Sequence, residues 1–230
     1  MGEAVARRLG ASRALILHGR NAPRLEAVRN SFSSPEEHLI WQQDLNDPAG
    51  TSASLAALLA SSGGTICSMA HCAGDFRILP ITAADPATVL RLFTVNFFSA
   101  TAIIRTLLSR PVNAGALRSI VFLSSISSRF GAKGFSIYAA TKGALDSLMR
   151  SLATELAPTV RVNSILSGGI RTPGTQFLYD ADAEGRMDTG YLLGAGQPDD
   201  IAAMADYLLA GDARWITGQE FVVDGGKTAH

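Results

Sequence analysis

Three residues of the chain could together move a proton: Ser125, Tyr138 and Lys142. Tyr138 and Lys142 lie four apart in a stretch with helical periodicity, Ser136–Ala157, so both side chains project from one face about one turn apart. A phenol at its ordinary pKa of about 10 exchanges protons poorly at neutral pH, whereas an ammonium within ~4–6 Å favours the phenolate. Bringing the phenol down to about 7–8 takes roughly 3–4 kcal/mol, within reach of one close cation plus a helix N-terminus. Ser125 stands thirteen residues before Tyr138, at the carboxyl end of the apolar run SIVFLSS. A hydroxyl, a phenol and an ammonium converging there would grip a carbonyl oxygen. Taken alone, Tyr-x-x-x-Lys is an ordinary surface pair, and its weight comes from the elements around it.

Those elements alternate. Short apolar runs at Ala14–His18, Leu39–Gln43, Thr65–Ala70, Ser119–Ser124, Val160–Leu166 and Glu220–Val223 predict strands covered on both faces, hence parallel. Helices are predicted at Pro23–Ser31, Pro48–Ser61, Pro86–Arg110, Ser136–Ala157 and Pro198–Ala210, four of them with proline at or near the first turn. Strand, crossover helix and strand, repeated without linker or internal repeat, predict one doubly wound α/β domain over residues 1–230. Its ligands should bind beyond the carboxyl ends of the strands. The Gly-rich stretch Ser167–Gln197 reads as a lid or substrate loop.

Composition narrows the partners. The 230 residues are 47% hydrophobic and 17% charged, with 20 Lys+Arg balancing 20 Asp+Glu, which argues against disorder and against nucleic acid as the main partner. Cys67 and Cys72 are too few for a disulfide framework and lack companion ligands for zinc, so a reducing compartment, the cytosol, is expected, with no metal. Charge or glycine breaks the apolar stretches before eighteen residues, so no bilayer span is expected.

With Ser125, Tyr138 and Lys142 in this order and spacing, the chain resembles the short-chain dehydrogenase/reductase family along nearly its whole length. The resemblance implies a Rossmann-type three-layer α/β/α fold. It also implies an oxidoreductase that interconverts a small or medium carbonyl compound and its secondary alcohol, and a homo-oligomer. Tyr138 is then the general acid in reduction, Lys142 lowers its pKa and binds the nicotinamide ribose, and Ser125 orients the carbonyl. Asn96, in RLFTVNFFSA, matches the family's helix asparagine, which holds a water in the relay to the lysine. AHCAG stands where the family has an Asn-Asn-Ala-Gly type turn; Ala73 and Gly74 match it as cofactor contacts, while His71 and Cys72 depart, His71 reading as a satisfied histidine. In RVNSILSGGIRTPG, Ser167 replaces the usual proline, and Ile170 and Thr172 would meet the carboxamide and phosphate side of the cofactor.

Arg20 follows LILHG where a NAD-selective protein has an acid for the ribose hydroxyls, and an arginine suits a 2′-phosphate, so NADP(H) is favoured over NAD(H). Asp44, with Leu45 beside it, matches the family aspartate at the adenine; the bland alternative, a helix cap, could instead fall to Asp47. Phe135, Phe177, Tyr179 and Tyr191 could line a substrate pocket or simply pack.

One family element is not found. No run before Ala14 reads as a strand entering a phosphate turn, and MGEAVARRLGA looks like the helix that follows one. Gly2 lies eighteen residues before Arg20, close to the family interval, so it matches the last glycine of TGxxxGxG. The expectation is a shortened chain whose sheet shows a gap, a slipped neighbour or an open cleft at its centre. Two other functions stay open: a catalytically silent binding or oligomerisation subunit, and an epimerase or dehydratase, which also uses Tyr-x-x-x-Lys.

Overall fold

The structure is a computed structural model and describes residues 1–182, 185 and 190–229. Helix α1 (Gly2–Gly10) leads into β1 (Ile16–Gly19), α2 (Ala22–Arg29) and β2 (Leu39–Gln42). Helix α3 (Pro48–Ser62) and β3 (Ser68–His71) follow. A long helical run then comprises α4 (Pro86–Phe93), a π-helical segment Thr94–Phe98, α5 (Ser99–Leu108) and the short α6 (Arg110–Asn113). The second half holds β4 (Ser119–Ser125), α7 (Ser136–Glu155), β5 (Arg161–Ser167), α8 (Gln176–Asp180), α9 (Pro198–Leu209) and β6 (Glu220–Val223).

Local chemistry explains the helix starts. Asn21 accepts from the Arg24 N–H, Asp47 from Gly50 and Asp85 from Thr88, each one residue ahead of a helix carrying proline in its first turn. Asp47, and not Asp44, thus caps α3. At α9 the Asp200 carboxylate accepts from the Gln197 N–H at 2.7 Å, and Gly63 ends α3 in the left-handed conformation, φ 64°.

All strand pairings are parallel, but the sheet is in two pieces, β2-β1 and β3-β4-β5-β6. The break falls between β1 and β3, the place where the sequence left a strand unaccounted for. Helix α1 lies across it on one face: Val5 and Leu9 are buried, and Leu15 beside β1 and Ala70 of β3 pack on the same cluster. Helices α3, α5 and α7 cover the other face through Leu55, Leu59, Ile103, Leu107, Leu145 and Met149. Between these layers β4 is buried along its whole length, with Ile120 and Phe122 fully inaccessible. Burial of such side chains contributes about 1.5–3 kcal/mol each, which makes β4 and β5 the rigid base on which the site is built.

Two expectations need correction. The run Pro86–Leu108 is, by length and composition alone, long and apolar enough to cross a bilayer, contrary to the sequence reading; in the fold Leu92, Ile103, Ile104 and Leu107 of this run are buried in the protein. The loop expected over 167–197 includes residues 183–184 and 186–189, which lie outside the described residues, and part of it is helical, α8.

Candidate active site

Ser125 ends β4, and Tyr138 and Lys142 sit in the first two turns of α7, which packs on β4 and β5. The β4 carboxyl end therefore delivers the serine to the same place as the helix face. Tyr138 is partly exposed, whereas Ser125 and Lys142 are buried. The Lys142 ammonium lies 5.7 Å from the centre of the Tyr138 ring, on the shared face that the spacing predicted.

The electrostatics differ from the sequence expectation. Burial pushes the Tyr138 phenol up to about 12, and the nearby Ser125 hydroxyl pulls it back. Lys142 spends a hydrogen bond on the Leu123 carbonyl at 2.8 Å, and its own pKa is pushed down to about 8 by burial. The four-residue spacing predicts an ammonium that lowers the phenol. Here desolvation outweighs that effect, and at neutral pH the site holds a protonated phenol next to an ammonium.

Asn96 sits in the π-helical segment, a break in the α-helical ladder of the kind that recurs at functional sites. Its amide is fully buried. It accepts from the Asp75 N–H at 2.6 Å and donates to the Asp75 carbonyl and to Thr141 Oγ1, both at 2.9 Å. Asn96 thereby ties the loop after β3 to α7. Gly74 in that loop lies beside both groups: a Cβ there would be in ordinary contact, 3.5 Å from Lys142 Nζ and 3.6 Å from Asn96 Oδ1. Asn96, Gly74, Ser125, Tyr138 and Lys142 thus converge, and Ala73 packs against the core beside them.

The other candidates lie along the same carboxyl-end rim. Arg20 is exposed at the end of β1, and among the described residues no ion pair is found for its guanidinium. The exposed Asp44 follows β2 and accepts from Asn46 N and Nδ2, while the Leu45 side chain is in the core, so Leu45 could offer a ligand only its backbone. Ile170 is buried and bridged to Gly196. Thr172 is engaged with Thr175, the two hydroxyls being 2.9 Å apart.

The N-terminus of α1 lies beside the loop after β3, where a Cβ on Gly2 would lie 3.4 Å from Cys72 Cβ. A separate cleft of about 280 Å³, lined by Arg13, Ser34 and His38, lies at the opposite, amino-terminal end of β1, away from this chemistry.

Three features escaped the sequence reading. Phe76 stands edge-on to Tyr138 at 4.9 Å and 5.5 Å from Phe135, so an aromatic wall flanks the phenol. Of the aromatics anticipated, Phe135 joins this wall, Phe177 is exposed, Tyr179 lies under Arg171, and the Tyr191 hydroxyl accepts from the Gly169 N–H at 2.9 Å. His71 is not the satisfied histidine expected: it is buried with Nε2 lacking a partner, and desolvation drives its pKa down to about 3, so it is neutral. Asp146 is buried on α7 one turn beyond Lys142.

Comparison with known proteins agrees with this arrangement. A family model described as enoyl-(acyl carrier protein) reductase matches residues 1–228. An NADP-dependent (R)-specific alcohol dehydrogenase from Lentilactobacillus kefiri is 30% identical over 219 residues, 94% of this chain and 86% of that protein. A cyclopentanol dehydrogenase from Comamonas sp. is 35% identical over 161 residues, 69% of this chain, and the match spans 64% of that protein's own length. A short-chain dehydrogenase/reductase from Brucella melitensis, titled glucose/ribitol dehydrogenase, superposes with a TM-score of 0.87 at 31% identity, covering 98% of this chain and 91% of the other.

Proposed function

The chain belongs to the short-chain dehydrogenase/reductase family, and from that premise we propose that it reduces a small or medium carbonyl compound to a secondary alcohol with NADPH. The observation that carries this reading is the convergence of Ser125, Tyr138 and Lys142 at the carboxyl end of β4, with the phenol protonated at neutral pH.

A nicotinamide cofactor, when bound, would supply a hydride; the proton chemistry falls to this chain's own residues. Ser125 donates a hydrogen bond to the carbonyl oxygen and fixes its orientation. Tyr138 gives its proton to that oxygen as negative charge develops there. A phenol at about 12 remains acidic enough for this, because an alkoxide is a much stronger base. The Lys142 ammonium stabilises the phenolate left behind, and Asn96 holds the loop carrying Gly74 against α7. Phe76 and Phe135 give the phenol an apolar flank that suits an uncharged substrate.

NADPH is preferred in this reading because Arg20, exposed after β1 and without an ion pair among the described residues, suits a 2′-phosphate by bidentate charge pairing. A homo-oligomer is supported by an open groove of about 490 Å³ between α5 and α7, edged by the apolar Ile104, Leu108, Leu148 and Leu152. The reducing cytosol fits the two free thiols, Cys67 and Cys72.

A second reading, a silent binding subunit, is favoured by one observation: beside α1 the strands form two separate pieces, β2-β1 and β3-β4-β5-β6. Titration of the purified chain with NADPH, followed by turnover with a carbonyl panel, separates the two. Saturable binding and alcohol formation support the reductase, whereas absence of binding supports the subunit. Conversion without net NADPH use would point to an epimerase or dehydratase.

A further inference from the structure

Lys142 and Asp146 are four residues apart on α7 and therefore share a face one turn apart, and both are almost fully buried, at 4% and 3% exposure. Neither Asp146 oxygen has a partner in full hydrogen-bond geometry. Lys142 donates to a single neutral acceptor, the Leu123 carbonyl. Each is thus a buried charge that no oppositely charged hydrogen-bond partner neutralises, a state that persists only if the two compensate each other or one of them discharges.

The surroundings favour compensation. Toward Lys142 face Cys72, whose thiol burial pushes up to about 11, the neutral His71 and the protonated Tyr138, so none of these brings negative charge at neutral pH. Burial pushes the Asp146 carboxyl above its ordinary range, against the anion, while the hydroxyls of Ser128 and Ser124, from the loop after β4 and from β4 itself, and that of Ser164 from β5 favour the anion. Glu220 of β6, paired with Ser164 in the strand register, opposes it; but Glu220 is itself held by Arg129 and Arg150. Asp146 is the carboxyl group that acts on Lys142, raising the lysine's proton affinity.

We propose that Asp146 is a positioning residue: the buried counter-charge that keeps Lys142 an ammonium from one helical turn behind the Tyr138–Lys142 pair. Its importance for turnover rests on the reductase reading above, whereas the charge pairing itself does not. Asp146 does not touch the substrate. It acts through Lys142, whose cationic form the phenolate requires.

The test reads the lysine directly. The sequence contains Lys133, Lys142 and Lys227, so nitrogen-15 labelling of lysine gives three side-chain signals, and loss of one in Lys142→Met assigns the buried amine. In the ligand-free protein, Asp146→Asn should lower the proton affinity of Lys142 about tenfold or more, and Asp146→Glu should restore most of it. An unchanged Lys142 titration in folded Asp146→Asn overturns the proposal. If that variant fails to fold, the wild-type protein decides by carbon-13 observation of the Asp146 carboxyl: an anion at pH 7 supports the pairing, and a protonated carboxyl overturns it. Because no ligand is present, failure here leaves the reductase reading standing, and a wild-type chain without reductase activity leaves the pairing standing.

Discussion

The Lys142 ammonium lies 5.7 Å from the centre of the Tyr138 ring, while its 2.8 Å hydrogen bond goes to the Leu123 carbonyl. Proximity on one helix face is therefore not enough to acidify the phenol. Burial dominates, and the pair rests with both protons on.

The pH dependence follows from these two groups. Lys142, lowered to about 8, is cationic below that value and loses its proton as pH rises through it, whereas Tyr138 stays protonated up to about 12. Carbonyl reduction should be flat from about pH 6 to 7.5 and fall above about 8. A kcat profile for NADPH-dependent reduction measures this; a plateau extending to pH 10 would remove Lys142 from the account.

Ser125 is the group that pulls the phenol down, and it also faces the carbonyl in the proposed chemistry. Ser125→Ala should lower kcat on the order of 10²-fold, with cofactor affinity unchanged. Equal kcat in the variant would show that another donor orients the substrate.

Arg20 carries the cofactor preference. Arg20→Glu should weaken NADPH binding at least about tenfold, a cost of about 1.4 kcal/mol, and leave NADH binding unchanged or stronger. Fluorescence titration with both nucleotides measures the ratio. An unaltered ratio would place the selectivity elsewhere.

His71 makes the fold acid-sensitive. Its folded pKa of about 3 lies below the ordinary 6.5, so below pH 6.5 the unfolded chain takes up a proton that the folded chain refuses, and stability falls with pH until about 3. At pH 5 the loss is roughly 2 kcal/mol. Denaturant unfolding should show a pH 7 to pH 5 difference that shrinks by about this amount in His71→Gln. An identical difference in both proteins would contradict it.

Much of this was legible in the chain itself because strands buried on both faces are continuous apolar runs. Glu220–Val223 is a strand over the predicted residues, and the other five strands shift by only a few residues. The helix starts were fixed by local chemistry, as with Asp47 ahead of Pro48. The π-helical segment at Asn96 was invisible, since an extra residue in one turn hardly disturbs hydrophobic periodicity. The Leu123 carbonyl that claims Lys142 could not be seen either, because backbone acceptors have no sequence signature. Asp146 did leave a signal, a carboxylate four residues beyond a lysine, but on paper that pattern is indistinguishable from a solvated surface pair. Burial alone gives it meaning.

The central claim is that the Tyr138 hydroxyl protonates the carbonyl oxygen. The most direct measurement compares wild type and Tyr138→Phe for NADPH consumption and alcohol formation with a panel of uncharged ketones, after both proteins are shown to bind NADPH alike. The account predicts one alcohol per NADPH in the wild type and a loss of about 10²–10⁴-fold in the variant. A phenylalanine variant that reduces the same ketone at the wild-type rate would contradict it.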